Sequence, residues 1–212
     1  MKNDRFRPLL SFFVLAIVTL PAAFAQTDAG VSVYGAFRGT SHGDGTAESP
    51  SSAAGVMFEL RHISNPLVGY ELNYSFNRAD EEYRSPVVDT ALCAPDCSVR
   101  NGTVVQNVNA NSHRVGADWF VSVPHLPVKP YALVGVGLLY ISPDGGQINV
   151  RGNTKPVFEY GAGVDWTVLP HIGLRFQYRG DLYHSPDLAK AFSSTDKFTT
   201  SARPMFGAYF RF

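Results

Sequence analysis

Apolar and polar residues alternate with a period of two in eight segments between residues 31 and 212, and this constrains the chain more than any other feature. Successive side chains of a β-strand point to opposite faces, so such alternation reads as strand rather than helix. The eight segments are Val31–Gly39, Ala53–Ile63, Val68–Asn77, a part of Val104–Val123, Val128–Ser142, a run around Phe158–Trp166, Ile172–Arg179, and Met205–Phe212. The third is the cleanest: Val68, Tyr70, Leu72, Tyr74 and Phe76 alternate with Gly69, Glu71, Asn73, Ser75 and Asn77. The fourth is firm only around Val115–Val123, with Phe120 out of phase, so its register stays open. Val128–Ser142 is apolar on both parities and leaves its facing open.

The connections alternate in length. Thr40–Ser52, Arg78–Thr103, Pro143–Asn153 and Asp181–Ser201 are long; Ser64-Asn65-Pro66, Pro124-His125-Leu126-Pro127 and Leu169-Pro170-His171 are short. That pattern predicts an all-β fold, an eight-stranded antiparallel transmembrane barrel with an up-and-down meander. Its turns would be periplasmic and short, its extracellular loops long. Segments of about ten residues are long enough to cross a bilayer at a tilt.

Residues 1–25 stand apart. Lys2, Arg5 and Arg7 precede an apolar run from Leu9 to Leu20, and Ala23-Phe24-Ala25 fits a small-x-small cleavage site. This predicts a signal peptide, with residues 26–212 as the barrel domain. The apolar run is too short for a membrane helix, which needs about 20 residues. The leader carries three basic residues and one acid, so a neutral chain becomes slightly acidic once it is removed.

Charge decides which strand face is wet. Only 17% of residues are charged, against about 25% in an average soluble domain, while 13% are aromatic. On the segments, the polar parity carries Arg38, Arg61, Arg114, Arg175, Arg179 and Arg211, together with Glu59, Glu71, Asp118, Glu159, Asp165 and Asp181. Lysine is almost absent there. Arginine suits enclosed pairing because its planar fork binds carboxylates through two parallel hydrogen bonds. The expectation is an internal arginine–carboxylate network, with glycines of the same parity making room in a narrow lumen and apolar side chains facing lipid. Zero net charge argues against a nucleic-acid partner.

The closing segment Met205-Phe206-Gly207-Ala208-Tyr209-Phe210-Arg211-Phe212 resembles the recognition signal of bacterial outer-membrane β-barrels. Lys129-Pro130-Tyr131-Ala132-Leu133-Val134-Gly135-Val136-Gly137 resembles a strand of small OmpA-like barrel domains, and Leu169–Arg175 is similar to their last turn and seventh strand. The resemblance implies insertion by the barrel-assembly machinery, with Phe206, Phe210 and Phe212 as the signal it reads. It also implies residence among outer-membrane lipid and lipopolysaccharide. The sequence ends at Phe212 without a peptidoglycan-binding segment, so tethering by that route is not expected.

Little of the sequence suggests chemistry. Cys93 and Cys97, in the second long loop, read as a local disulfide in an exported protein. His62-Ile63-Ser64-Asn65 resembles the H-x-S-N motif of outer-membrane lipid A deacylases, which implies Ser64 as nucleophile, His62 as base and Glu71 as the acid. Against this, the motif lies at a predicted periplasmic turn, occurs early in the chain, and has Glu71 on the opposite parity. Asn101-Gly102-Thr103 matches a glycosylation pattern. The other histidines, His42, His113, His125, His171 and His184, show no metal-ligand spacing, and no cofactor is expected. The sequence therefore predicts a monomeric barrel with a structural or surface-interaction role, its long loops meeting an extracellular ligand or host surface. A narrow gated pore, a soluble ligand-binding barrel and a lipid A deacylase-like enzyme are the competing readings.

Overall fold

The computed structural model describes residues 26–123 and 126–212. The predicted signal peptide and His125 lie outside the described residues. In chain order the strands are β1 (Gln26–Arg38), β2 (Ser41–Gly43), β3 (Thr46–Pro50), β4 (Ala53–Ile63), β5 (Val68–Arg78), β6 (Glu81–Ser85), β7 (Cys97–Arg100), β8 (Thr103–Val108), β9 (Ala110–Ser122), β10 (Val128–Pro143), β11 (Asn153–Leu169), β12 (Ile172–His184) and β13 (Phe198–Arg211). A 3₁₀ turn, Thr90–Leu92, precedes β7. Among the described residues no helix is long and apolar enough to cross a membrane.

Eight strands close into an antiparallel barrel in the order β1-β13-β12-β11-β10-β9-β5-β4. Seven of the alternating segments, and the firm part of the fourth, supply its wall. The pleat sorts side chains as the alternation requires. Glu159 and Arg179 are fully buried inside, whereas Val33 is 58% exposed, Trp119 63% and Val136 57% on the outer wall. An apolar band that encircles a molecule far exceeds the few hundred Å² a soluble monomer leaves open.

β10 and β9 resolve both open points. On β10, Tyr131, Leu133, Leu139 and Ile141 point inward, and Val134, Val136, Leu138 and Tyr140 point outward. Both parities are apolar because the inward side chains of β10 meet apolar neighbours at both ends of the strand. Leu133 joins Phe120 and Tyr131 near the short turns, while Leu139 and Ile141 join a cluster at the long-loop end. β9 pairs with β10 so that Phe120 faces Leu133 and Arg114 faces Leu139, which places the out-of-phase Phe120 inside.

The long connections depart from the sequence reading. Thr40–Ser52 and Arg78–Thr103 are not open loops but parts of a second sheet, β2-β3-β6-β8-β7, standing on the barrel mouth. The fourth segment is accordingly two strands, parted at Asn109, whose N–H donates to Gln147 Oε1 at 3.1 Å and whose carbonyl accepts from Asp144 N–H at 2.8 Å. Asp44-Gly45 and Asn101-Gly102 turn the two outer hairpins with positive φ at both residues, the geometry a two-residue hairpin loop needs. The glycosylation-like Asn101 is thus a turn residue.

The cap shares a core with the barrel mouth. Ala79, Tyr83, Cys93, Val104 and Val108 of the cap pack with Leu139, Ile141, Val157 and Tyr183 of the wall and with Leu188, Ala189 and Phe192 of the last connection. At about 1.5–3 kcal/mol for each large side chain buried, the cluster fastens cap to barrel.

Candidate functional site

The lumen holds the densest chemistry. Each inward strand position follows from parity, and closure of the sheet brings residues far apart in sequence within bonding distance. At the short-turn end Arg211 grips Asp28 with two bonds of 2.7 and 3.0 Å. Arg175 bonds Asp165 at 2.8 Å and Glu59 at 3.0 Å. Arg61 bonds Glu71 at 2.8 Å and Asp165 at 3.0 Å, and its guanidinium lies between the rings of Phe120 and Tyr131, 4.4 and 4.3 Å from their centroids.

Higher up, Arg179 donates to Asp118 at 2.6 Å and Glu159 at 3.3 Å and also contacts Glu71. Arg203 bonds Asp181 at 2.6 Å, and Arg114 pairs with that same carboxylate. Among the described residues, six arginines and seven carboxylates thus form one continuous lattice through the barrel. A barrel of eight strands is just wide enough for such side chains to fill it.

Glycines give the large residues their room. Inward-facing Tyr34, Tyr131 and Tyr209 lie over Gly55, Gly163 and Gly173 of the neighbouring strands, where an added Cβ would strike the ring or phenol. Gly69 does the same for Phe120. Tyr131 then donates to Gln177 Oε1 at 3.0 Å, and Tyr34 to Asn77 Oδ1 at 3.0 Å.

Nearly all the residues singled out from the polar parity lie in this lattice; Arg38 is the correction. It points inward but sits at the end of β1, above the lattice, and pairs with Glu81 of β6, linking wall to cap. Two members escaped the sequence reading. Asp28 continues the even parity of the first segment beyond the point where its apolar alternation begins. Arg203 shares the parity of Met205, but Pro204 interrupts the run.

The deacylase-like residues are not brought together. His62 lies on the outer side against Tyr70, with ring centroids 4.8 Å apart; Ser64 is exposed in the turn; Glu71 is buried in the lumen between Arg61 and Arg179. Other histidines also stack on outward aromatics: His171 on Phe210 at 5.9 Å, His113 on Phe76 at 5.1 Å and His184 on Phe198 at 4.0 Å. They mark two belts at the ends of the apolar band. Among the described residues no three His, Cys, Asp or Glu side chains gather as a metal site. Cys93 and Cys97 form a disulfide in the cap, and Phe206, Phe210 and Phe212 are exposed on the outer wall.

A family model described as an outer membrane protein beta-barrel domain matches residues 10–206. Among solved structures, the chain is similar to Neisserial surface protein A, at 15% identity and a TM-score of 0.55, covering 91% of this chain and 100% of that one. It is also similar to the outer membrane protein OprG from Pseudomonas aeruginosa, at 10% identity and a TM-score of 0.53, covering 89% and 95%. A major outer membrane protein from Thermus thermophilus aligns at 12% identity and a TM-score of 0.52, covering 90% and 100%. No curated protein sequence matches. At these identities the structural likenesses speak to fold.

Proposed function

Since this chain belongs to the outer membrane protein beta-barrel family and so to the bacterial outer membrane, we propose that it anchors a pre-folded β-sheet platform at the cell surface. One observation carries the reading: the long connections form a five-stranded sheet that shares an apolar core with the barrel mouth, set over a barrel whose lumen is packed with paired side chains. A conduit would need open space along its axis. A platform needs a rigid base and a surface whose shape is fixed before a partner arrives, because pre-organisation lowers the entropic cost of binding.

In this reading the outer wall meets outer-membrane lipid and lipopolysaccharide. Phe206, Phe210 and Phe212 serve the barrel-assembly machinery. The cap is offered to an extracellular ligand or host surface by a monomer. The reading assigns no reaction to His62 and Ser64.

An epitope inserted between Asn101 and Gly102, at the outer hairpin, tests the orientation. Antibody should reach it on intact cells; labelling only after permeabilisation contradicts the proposal. In planar bilayers the purified barrel should give no discrete conductance. Steps that change when Arg175 or Glu159 is neutralised would favour the pore instead.

A further inference from the structure

Residues 185–197, between β12 and β13, run back across the barrel mouth as a strap. Ser185 N–H donates to Lys197 O at 2.9 Å and closes its base. Tyr83 of β6 is the hub beneath it: the phenol donates to Pro186 O at 2.7 Å and accepts from Leu188 N–H at 3.1 Å, and its ring lies 5.8 Å from that of Phe192. Arg151 N–H and Lys190 N–H each pin the strap to the neighbouring connection at 2.8 Å. At the far end, Thr195 sits so close to β2 that a Cβ on Gly43 would collide with its carbonyl oxygen.

The ground under Thr195 is unusual. Glu48 of β3 is buried there, 3% exposed, and lies on the same face as Tyr83, its cross-strand partner, and Glu81, which is 1% exposed. Arg38 of β1 is the guanidinium at this place, and it is committed to Glu81. The remaining groups facing Glu48 are Lys155 of β11, the hydroxyls of Thr195 and of Ser41, its partner on β2, and Ser185 across from Ser41 at 2.6 Å. Tyr183 of β12 and Asp80 complete the ionisable groups around Glu81 and Arg38. Two buried carboxylates therefore share one arginine. Ionising both adds a buried negative charge that the half-buried Lys155 offsets only in part; hydration relieves the rest, and lifting the strap admits it.

We propose that residues 185–197 form a pH-sensitive strap, held shut by the proton on Glu48 and released when that proton is lost. The direction agrees with the electrostatics. Burial, and then the neighbouring Glu81, push the Glu48 carboxyl up to about 9, and burial holds Glu81 at about 7 despite Arg38. The lifted strap returns Glu48 to water and to an ordinary value near 4.3. With Glu81 held beside Arg38 in both forms, the closed form binds one proton more than the open form between about pH 5 and 9. Closure is tightest in acid and weakens about tenfold for each pH unit across that window.

Hydrogen exchange on the full chain in detergent reads this directly. The protection factors of the Leu188 and Lys190 amides, corrected for intrinsic exchange, should fall about tenfold per unit from pH 6 to 8.5. Protection that is constant over this range overturns the proposal. Glu48→Gln should keep the strap protected and remove the slope; a slope that survives the substitution also overturns it. Glu81→Gln, which frees Arg38 for Glu48, should flatten the slope independently. Gly43→Ala should unprotect both amides even at pH 6; full protection there would show that Thr195 is not the strap's seat.

Discussion

Arg179 reaches three carboxylates within 3.3 Å and a fourth, Glu59, at 3.8 Å, all of them buried inside the wall. Removing it leaves Glu71, Asp118 and Glu159 buried without their shared cation. Breaking a buried pair from one side costs about 3–5 kcal/mol, more than the pair contributes when compared with an apolar replacement of both partners. Arg179→Met should therefore lower the temperature of the heat-induced gel-mobility shift, and adding Glu71→Gln should recover part of the loss. Gly163→Leu should act sterically. Its Cβ would stand 2.5 Å from the Tyr131 phenol and 2.6 Å from the Phe176 carbonyl, so about 1–3 kcal/mol of overpacking is expected on the same assay. Parity alone places Arg61, Glu159 and Arg179 inside, because period two leaves a strand residue only two directions. Parity does not say who touches whom. The contact between Arg61 and Asp165 spans 104 residues and arises only on closure.

At the scale of elements, the legible parts are those whose environment is uniform along their length. The wall strands have lipid on one side and charge on the other, so β5 announces itself. β10 does not, since its inner face meets Phe120 at one end and the cap core at the other. The cap strands were illegible for a different reason. β2, β3 and β7 are three to five residues long, too short for a period to show, and their Asp44-Gly45 and Asn101-Gly102 turns look like loop tips until the flanking strands pair. The disulfide belongs to this scale too. Cys93 is fully buried in the cap core, but the ring it closes with Cys97 is short. Chain-entropy reasoning gives about 2 kcal/mol, all of it local. Replacing both cysteines with serine should speed hydrogen exchange in β7 and β8 and leave the heat-modification temperature of the barrel unchanged. A lowered barrel transition would mean that cap and wall unfold together.

For the whole molecule, three figures acquire a common cause. Charges are few because one strand face is apolar; aromatics are many because that face and its two belts use them; the mean hydropathy, −0.05, sits near zero because the lumen is polar. The connections do not add the purely polar surface that an open-loop reading assigns them, since they contribute apolar side chains to the cluster that joins cap and wall. An inside-out barrel sets the facing of every wall strand, and β10 tests it most sharply, because its sequence does not reveal its facing. Single spin labels placed in turn at residues 133 to 140, with the purified protein in bilayers, report collision with oxygen, which concentrates in lipid, and with a water-soluble nickel chelate. Oxygen accessibility should peak at Val134, Val136, Leu138 and Tyr140 and dip at Leu133, Gly135, Gly137 and Leu139. Peaks on the odd positions, or no alternation, would contradict the barrel described.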